Sequence, residues 1–82
     1  MAEVEIRWYA GAGQAAGTPS STVEVREGAS VAEILRQGVG DNEALASVVE
    51  VASLLAGGVR VEDRQAPLTG SRLDVLPPFA GG

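Results

Sequence analysis

At 82 residues, 45% of them hydrophobic and 21% charged, the chain has enough length for one folded core and too little for two. Eleven acids against six basic residues, every one an Arg, give a net charge of −5, which disfavours nucleic acid and anionic lipid as partners and favours a protein with a basic face. Cys, His and Lys are all absent, removing thiol chemistry, disulfides, the usual base near neutral pH, the commonest metal ligand and any Schiff-base amine.

Residues 4–9 open the chain with strict alternation: Val4, Ile6 and Trp8 on one face, Glu5, Arg7 and Tyr9 on the other. Period two with β-branched and aromatic residues predicts a half-buried strand, with Trp8 in the core and Tyr9 more exposed. Residues 10–21 are rich in Gly, Ala, Ser and Thr, and Thr18-Pro19 breaks any helix. Gly11-Ala12-Gly13-Gln14-Ala15-Ala16 matches a dinucleotide-binding fingerprint in letters. It lacks the long helix and βαβ context that the fingerprint requires, so it reads as a flexible hairpin loop of small residues. Val23 and Val25 alternate with Glu24 and Arg26 in a second strand that ends at Glu27-Gly28.

Ser30-Val31-Ala32-Glu33 is a capping box, followed by Val31, Ile34 and Leu35 at helical spacing. Gly38 fits the left-handed position that closes such a helix. Asp41 is placed to cap a second helix carrying Leu45, Val48, Val49 and Ala52 on one side, although the β-branched content of residues 47–55 suits a strand equally. Residues 53–56 read as a buried strand before a Gly57-Gly58 turn, with Val59 and Val61 returning in a short strand. After a turn at Gly70, Leu73 and Val75 point inward from a last strand that Pro77 ends, since proline donates no ladder hydrogen bond. Asp41, Glu43 and Glu50 lack the close spacing of a metal site and read as a solvated face, so no metal is expected. The order predicts an α+β fold with one main helix across a mixed sheet of four to five strands.

No apolar run approaches the roughly 20 residues of a membrane span. The opening MAEVEIRWYA is acidic and alternating, unlike a basic-then-apolar signal peptide, so the expected location is cytoplasmic. Ser, Thr, acids and Tyr9 remain as reactive groups, but a serine without a base is a weak nucleophile. Chemistry at this chain therefore calls for catalytic groups on another protein.

The C-terminal segment is the candidate site. Pro77 and Pro78 restrict the exit from the last strand to extended geometry, Phe79 offers one apolar anchor, and Ala80, Gly81 and Gly82 carry almost no side-chain volume. At about 3.3–3.6 Å per residue, residues 77–82 reach roughly 20 Å, a probe thin and long enough to enter another protein's active site. Glycine at the last two positions leaves both faces of the terminal carboxylate open to an attacking group. At 11 Gly in 82 residues, two terminal glycines arise by chance in roughly 2% of chains, so the pair gains force only from the prolines and from the missing catalytic groups. The expected division is a folded domain over residues 1–76 and an extended tail over residues 77–82.

On these residues the chain resembles the MoaD/ThiS superfamily of ubiquitin-like sulfur carriers, in particular its molybdopterin synthase small subunits. Ile6-Arg7-Trp8-Tyr9-Ala10 is similar to the family's opening strand, Gly28-Ala29-Ser30-Val31-Ala32-Glu33-Ile34-Leu35 to its first helix, and Ala66-Pro67-Leu68 with Leu73 to Gly82 to its closing segment. The ending Pro-Pro-Phe-Ala-Gly-Gly resembles the family's Pro-Pro-Val-Ala-Gly-Gly. The resemblance implies a β-grasp fold with a flexible tail and a carrier rather than an enzyme. A separate ATP-dependent activating enzyme would adenylate the Gly82 carboxylate, and a sulfur donor protein would convert it to a thiocarboxylate. An acceptor such as the molybdopterin synthase large subunit would then take the sulfur. ATP and magnesium belong to the activating enzyme, so the chain itself is expected to hold no cofactor.

Three positions depart from the family pattern. Phe79 replaces a small aliphatic residue, Gly70-Ser71-Arg72-Leu73-Asp74 stands in place of Gly-Asp-Glu, and Ala56-Gly57-Gly58 in place of an Asn-Gly turn. Related carriers ending Ala-Gly-Gly serve cysteine or thiamin biosynthesis, and related modifiers form isopeptide bonds through the terminal glycine.

Overall fold

Ile6, Leu73 and Val75 have no solvent exposure, and they lie on strands from opposite ends of the chain. In the computed structural model, which describes residues 1–78, these strands are β1 (Ala2–Trp8) and β5 (Arg72–Leu76), and they pair in parallel at the centre of a sheet. The other strands are β2 (Ser20–Val25), β3 (Ser53–Ala56) and β4 (Val59–Arg60), giving the order β2-β1-β5-β3-β4. All pairings except β1–β5 are antiparallel. This is the expected mixed β-grasp sheet, with all five strands present.

The predicted alternation holds along β1: Val4, Ile6 and Trp8 are buried, with the Trp8 indole N–H donating to Ser21 Oγ at 3.0 Å. That bond satisfies the one polar atom the ring takes into the core. The small-residue segment that the sequence predicts as a flexible loop is instead ordered. Residues Gly11–Ala16 form a short helix, α1, closed by the Gly17 N–H on the Gly13 carbonyl at 2.9 Å, and Ala12 is fully buried. Small side chains let this turn lie directly against the core. The strand after it returns antiparallel to β1, so the βαβ unit of a dinucleotide site is absent.

The capping box forms as predicted at the start of α2 (Val31–Val39). The Glu33 N–H donates to Ser30 Oγ at 3.1 Å, and the Ser30 N–H donates back to Glu33 Oε1 at 3.4 Å. Arg26 adds a two-point contact to the same carboxylate at 3.0 and 2.6 Å. The Arg26 guanidinium first, and the Ser30 N–H second, hold the Glu33 carboxyl below its ordinary range. This contribution is in place above the usual carboxylate range and is lost as acidification protonates Glu33. Its solvent exposure keeps it small.

Two expectations about helix ends change. Gly38 does not terminate α2; the helix runs to Val39, and Gly40, at φ 60°, occupies the closing position. Gly38 is glycine for space, because a Cβ there would lie 2.5 Å from Ile6 Cδ1 and 3.2 Å from Trp8 Cζ2. Asp41 does not cap the next helix. Asn42 does, accepting from the Leu45 N–H at 3.0 Å, while its amide donates to the Ala15 carbonyl at 2.9 Å and ties α1 to the start of α3 (Glu43–Val51). The strand-or-helix ambiguity of residues 47–55 divides at Ala52. Helix persists to Val51 because Leu45 and Val49 bury one face, and β3 begins at Ser53. The fold therefore has two nine-residue helices and one of six where one main helix is expected. Gly57-Gly58 makes the tight turn that places Ala56 opposite Val59. The long segment before β5 is pinned to the start of α2 by Val31 N–H to Ala66 O, Ala32 N–H to Arg64 O, and Leu68 N–H to Ala29 O.

Buried side chains of α1, α2 and α3 join Val4, Ile6, Trp8, Leu54, Leu73 and Val75 in one core, leaving the other sheet face uncovered by helices. No helix among the described residues is long and apolar enough to cross a membrane. Gly38→Val tests the close approach of α2 to β1: overpacking there is expected to cost about 1–3 kcal/mol in urea unfolding. An unchanged midpoint would show that Ile6 and Trp8 have room to yield.

Candidate functional site

The last strand fixes where the C-terminal segment leaves the domain. β5 lies between β1 and β3, with Trp8 opposite Val75 and Ser53 opposite Leu76. The Tyr9 N–H extends the pairing by donating to the Val75 carbonyl at 3.1 Å. Pro77 then stops the ladder, since it has no N–H to offer. Pro77 is buried and Pro78 is exposed, so the two predicted tail prolines have different roles. Pro77 holds the base of the exit against the domain, and Pro78 is the first residue to face solvent. Phe79, Ala80, Gly81 and Gly82, the remaining predicted site residues, lie outside the described residues.

The face around the exit is built by the outward positions of the central strands. Register places Arg7 and Leu55 on either side of Asp74, with Arg60 beyond Leu55. Arg72 and Leu76 precede and follow Asp74 along β5. Tyr9, at 40% exposure, stands at the end of β1 next to this row. Asp74 is a residue that sequence reasoning passed over. It is only 6% exposed, and its Oδ1 has no hydrogen-bond donor among the described residues. The nearest cation is Arg72, whose Nε lies 3.5 Å away and whose own side chain is half exposed. The signal was present in the sequence: an acid at an outward position of a strand whose inward residues mark it as central.

Asp41, Glu43 and Glu50 are all exposed, and among the described residues no three metal-ligating side chains gather.

The comparisons agree with this geometry. No family model matches the chain. It is 29% identical to the molybdopterin synthase sulfur carrier subunit of Chlamydomonas reinhardtii, across 98% of this chain and 99% of that protein. The crystal structure of small archaeal modifier protein 1 from Haloferax volcanii superposes with a TM-score of 0.81 at 26% identity, covering 96% of this chain and 100% of the other. A molybdopterin converting factor subunit 1 from Pyrococcus furiosus shares the fold, with a TM-score of 0.78 at 21% identity over 96% of this chain and 100% of that one. The resemblance to ubiquitin-like proteins of the MoaD/ThiS type therefore holds along essentially the whole chain. These relatives are a sulfur carrier subunit and small modifier proteins rather than catalytic enzymes.

The two prolines should separate experimentally. Pro77→Ala is expected to destabilise the domain by about 0.5–1 kcal/mol by freeing the unfolded chain and removing a buried ring. Pro78→Ala should stay within about 0.5 kcal/mol of the parent. Equal melting temperatures for both variants would show that Pro77 is no anchor.

Proposed function

We propose that the chain is a sulfur carrier whose Gly82 carboxylate is adenylated by a separate ATP-dependent enzyme, converted to a thiocarboxylate with sulfur from a donor protein, and used to build molybdopterin. The likeness to a molybdopterin synthase sulfur carrier subunit carries this reading, because it covers 98% of this chain and 99% of that protein. The chemistry of the chain supports it from a second direction. A carboxylate must be activated before sulfur can replace oxygen, and this chain has no group to activate it. Adenylation supplies the leaving group: the carboxylate attacks the α-phosphate of ATP and pyrophosphate departs. Sulfur then attacks the acyl carbon and AMP departs.

The chain contributes presentation. Pro77 fixes the starting point of the segment, Pro78 keeps it extended, and Ala80, Gly81 and Gly82 leave the acyl carbon accessible within a narrow channel. Phe79 is the one bulky side chain of the segment, and it is the residue that would distinguish one acceptor channel from another. In this reading the acceptor is a synthase large subunit, and the chain holds no cofactor of its own. The domain over residues 1–76 is the handle and residues 77–82 are the working part.

The likeness to small archaeal modifier protein 1 supports a second reading, in which Gly82 forms isopeptide bonds with lysines of other proteins. Without a lysine, the chain would then attach once and never build chains on its own side chains.

Incubation with the activating enzyme, ATP and a sulfide source should raise the intact mass by one sulfur-for-oxygen exchange. Deleting Gly82 should abolish the gain while leaving the melting temperature unchanged. No gain with the intact chain would contradict the carrier reading, and lysine-linked adducts in cells would favour the modifier reading.

A further inference from the structure

The sheet ends in two edge strands, β2 and β4, and they are built differently. β4 is two residues long and follows a tight turn, so it offers little backbone. β2 runs six residues in unbroken register with β1, without proline or bulge. An edge of this kind is a template for further pairing. The hydrogen bonds fix which of its groups point away from the sheet. The Trp8 N–H donates to the Pro19 carbonyl, whereas Glu5 and Tyr9 donate to Ser71 and Val75 at β5. Even-numbered residues of β1 therefore bond to β2 and odd-numbered ones to β5. With Ile6 opposite Ser21 and Val4 opposite Val23, the peptide groups of Ser20, Thr22 and Glu24 turn outward. Of these, the Ser20 carbonyl accepts from the Thr18 hydroxyl at 2.9 Å and keeps a second lone pair.

The side chains along this edge carry a charge mismatch that one copy leaves in place. Glu3 lies directly opposite Glu24, both are exposed, and neither makes an ion pair among the described residues. Like charges set opposite each other are destabilising. Glu5 differs, because the register sets Arg72 beside it. Arg7 stands exposed between Ser20 and Asp74 and also makes no ion pair among the described residues, since Asp74 meets Arg72 instead. The edge thus has an unmatched acid pair toward one end and an unmatched Arg toward the other, with Thr22 midway. A two-fold axis through Thr22 brings the two ends together.

We propose that β2 is a self-association edge, at which two copies pair their β2 strands antiparallel about Thr22. This register uses all three outward positions: Ser20 faces Glu24 of the other copy on each side, and Thr22 faces Thr22. Threonines opposite each other are a favourable pair. Arg7 and the other copy's Glu24 then lie two strand spacings apart, about 10 Å, with only the small Ser20 between them. Their long side chains meet across it, and each copy relieves the acid pair of the other. A shift of two residues in one direction would set Glu24 beside Thr22 and Glu5 instead, acid against acid. On the helix side, a groove of about 450 Å³ lined by Val25, Arg26, Glu33 and Arg36 leaves room where Thr18 and Pro19 of the other copy arrive. The contact is isologous and closes at two copies. It leaves both β5 strands covered within their own sheets and ends them at opposite ends of the joined one, so neither C-terminal segment obstructs the other. A six-residue edge is small, and two chains of net charge −5 repel, so the association is reversible and concentration-dependent.

Sedimentation equilibrium of the full-length chain over a range of concentrations tests this. The mass should rise reversibly from one chain toward two. Glu24→Arg sets an arginine against Arg7 of the other copy and should weaken association about tenfold or more, while the melting temperature of the dilute chain holds or rises because Glu3 gains an opposite charge. Arg7→Glu should weaken it as well. Mixing these two variants should restore association, since both contacts between unlike chains then join opposite charges, a recovery that a merely misfolded variant would not give. Thr22→Pro removes an outward N–H that the ladder to β1 does not use, and should abolish pairing while the circular dichroism of the folded chain persists. A chain that stays single at every concentration would overturn the proposal and leave the edge to strands of other proteins. Association that all three variants retain would overturn it too, and variants that fail to recover on mixing would overturn the register about Thr22.

Discussion

The parallel pairing of the first and last strands is the constraint on which the rest of the structure depends. β1 and β5 hold the most shielded residues of the core, and each lies between two other strands. Their pairing joins the two ends of the chain across more than sixty residues, so no part of the core closes without it. It also sets the direction in which the chain leaves. Because β5 runs the same way as β1, the strand ends at Leu76 beside Tyr9 and the β1–α1 corner, away from the turn at Gly70.

The separation of labour in the proposed function follows from this placement. The domain packs its helices on one face of the sheet and leaves the other open. The C-terminal segment is attached where a buried proline stops the sheet. The same arrangement serves a carrier or a modifier equally, because both need an accessible acyl carbon on a fixed base.

Much of this was legible in the residues. Alternation in residues 4–8 and 73–75 marked the two central strands, and Ser30 with Glu33 marked the start of α2, because those signals are local. Pro77 marked the end of β5 for the same reason. The misreadings share a different cause, in that each depended on a tertiary neighbour. Gly38 looked like a helix end, but it is glycine because Ile6 and Trp8 approach it. Asn42 caps α3 while also holding α1, and nothing in the adjacent Asp41 revealed the difference. The stretch from Gly11 to Ala16 becomes helical through burial of Ala12, which composition alone does not show. Asp74 was visible as a letter, but its burial appears only once β1 and β3 lie on either side of it.

The central claim concerns one carbon atom, the carboxyl carbon of Gly82. Top-down mass spectrometry of the protein isolated from its own cells tests it most directly, since fragmentation locates any added sulfur along the chain. The account predicts a fraction of molecules with one oxygen exchanged for sulfur, confined to the fragments that contain Gly82. Sulfur located anywhere else, or a terminus that stays an ordinary carboxylate when sulfur supply and activating enzyme are both ample, would contradict it.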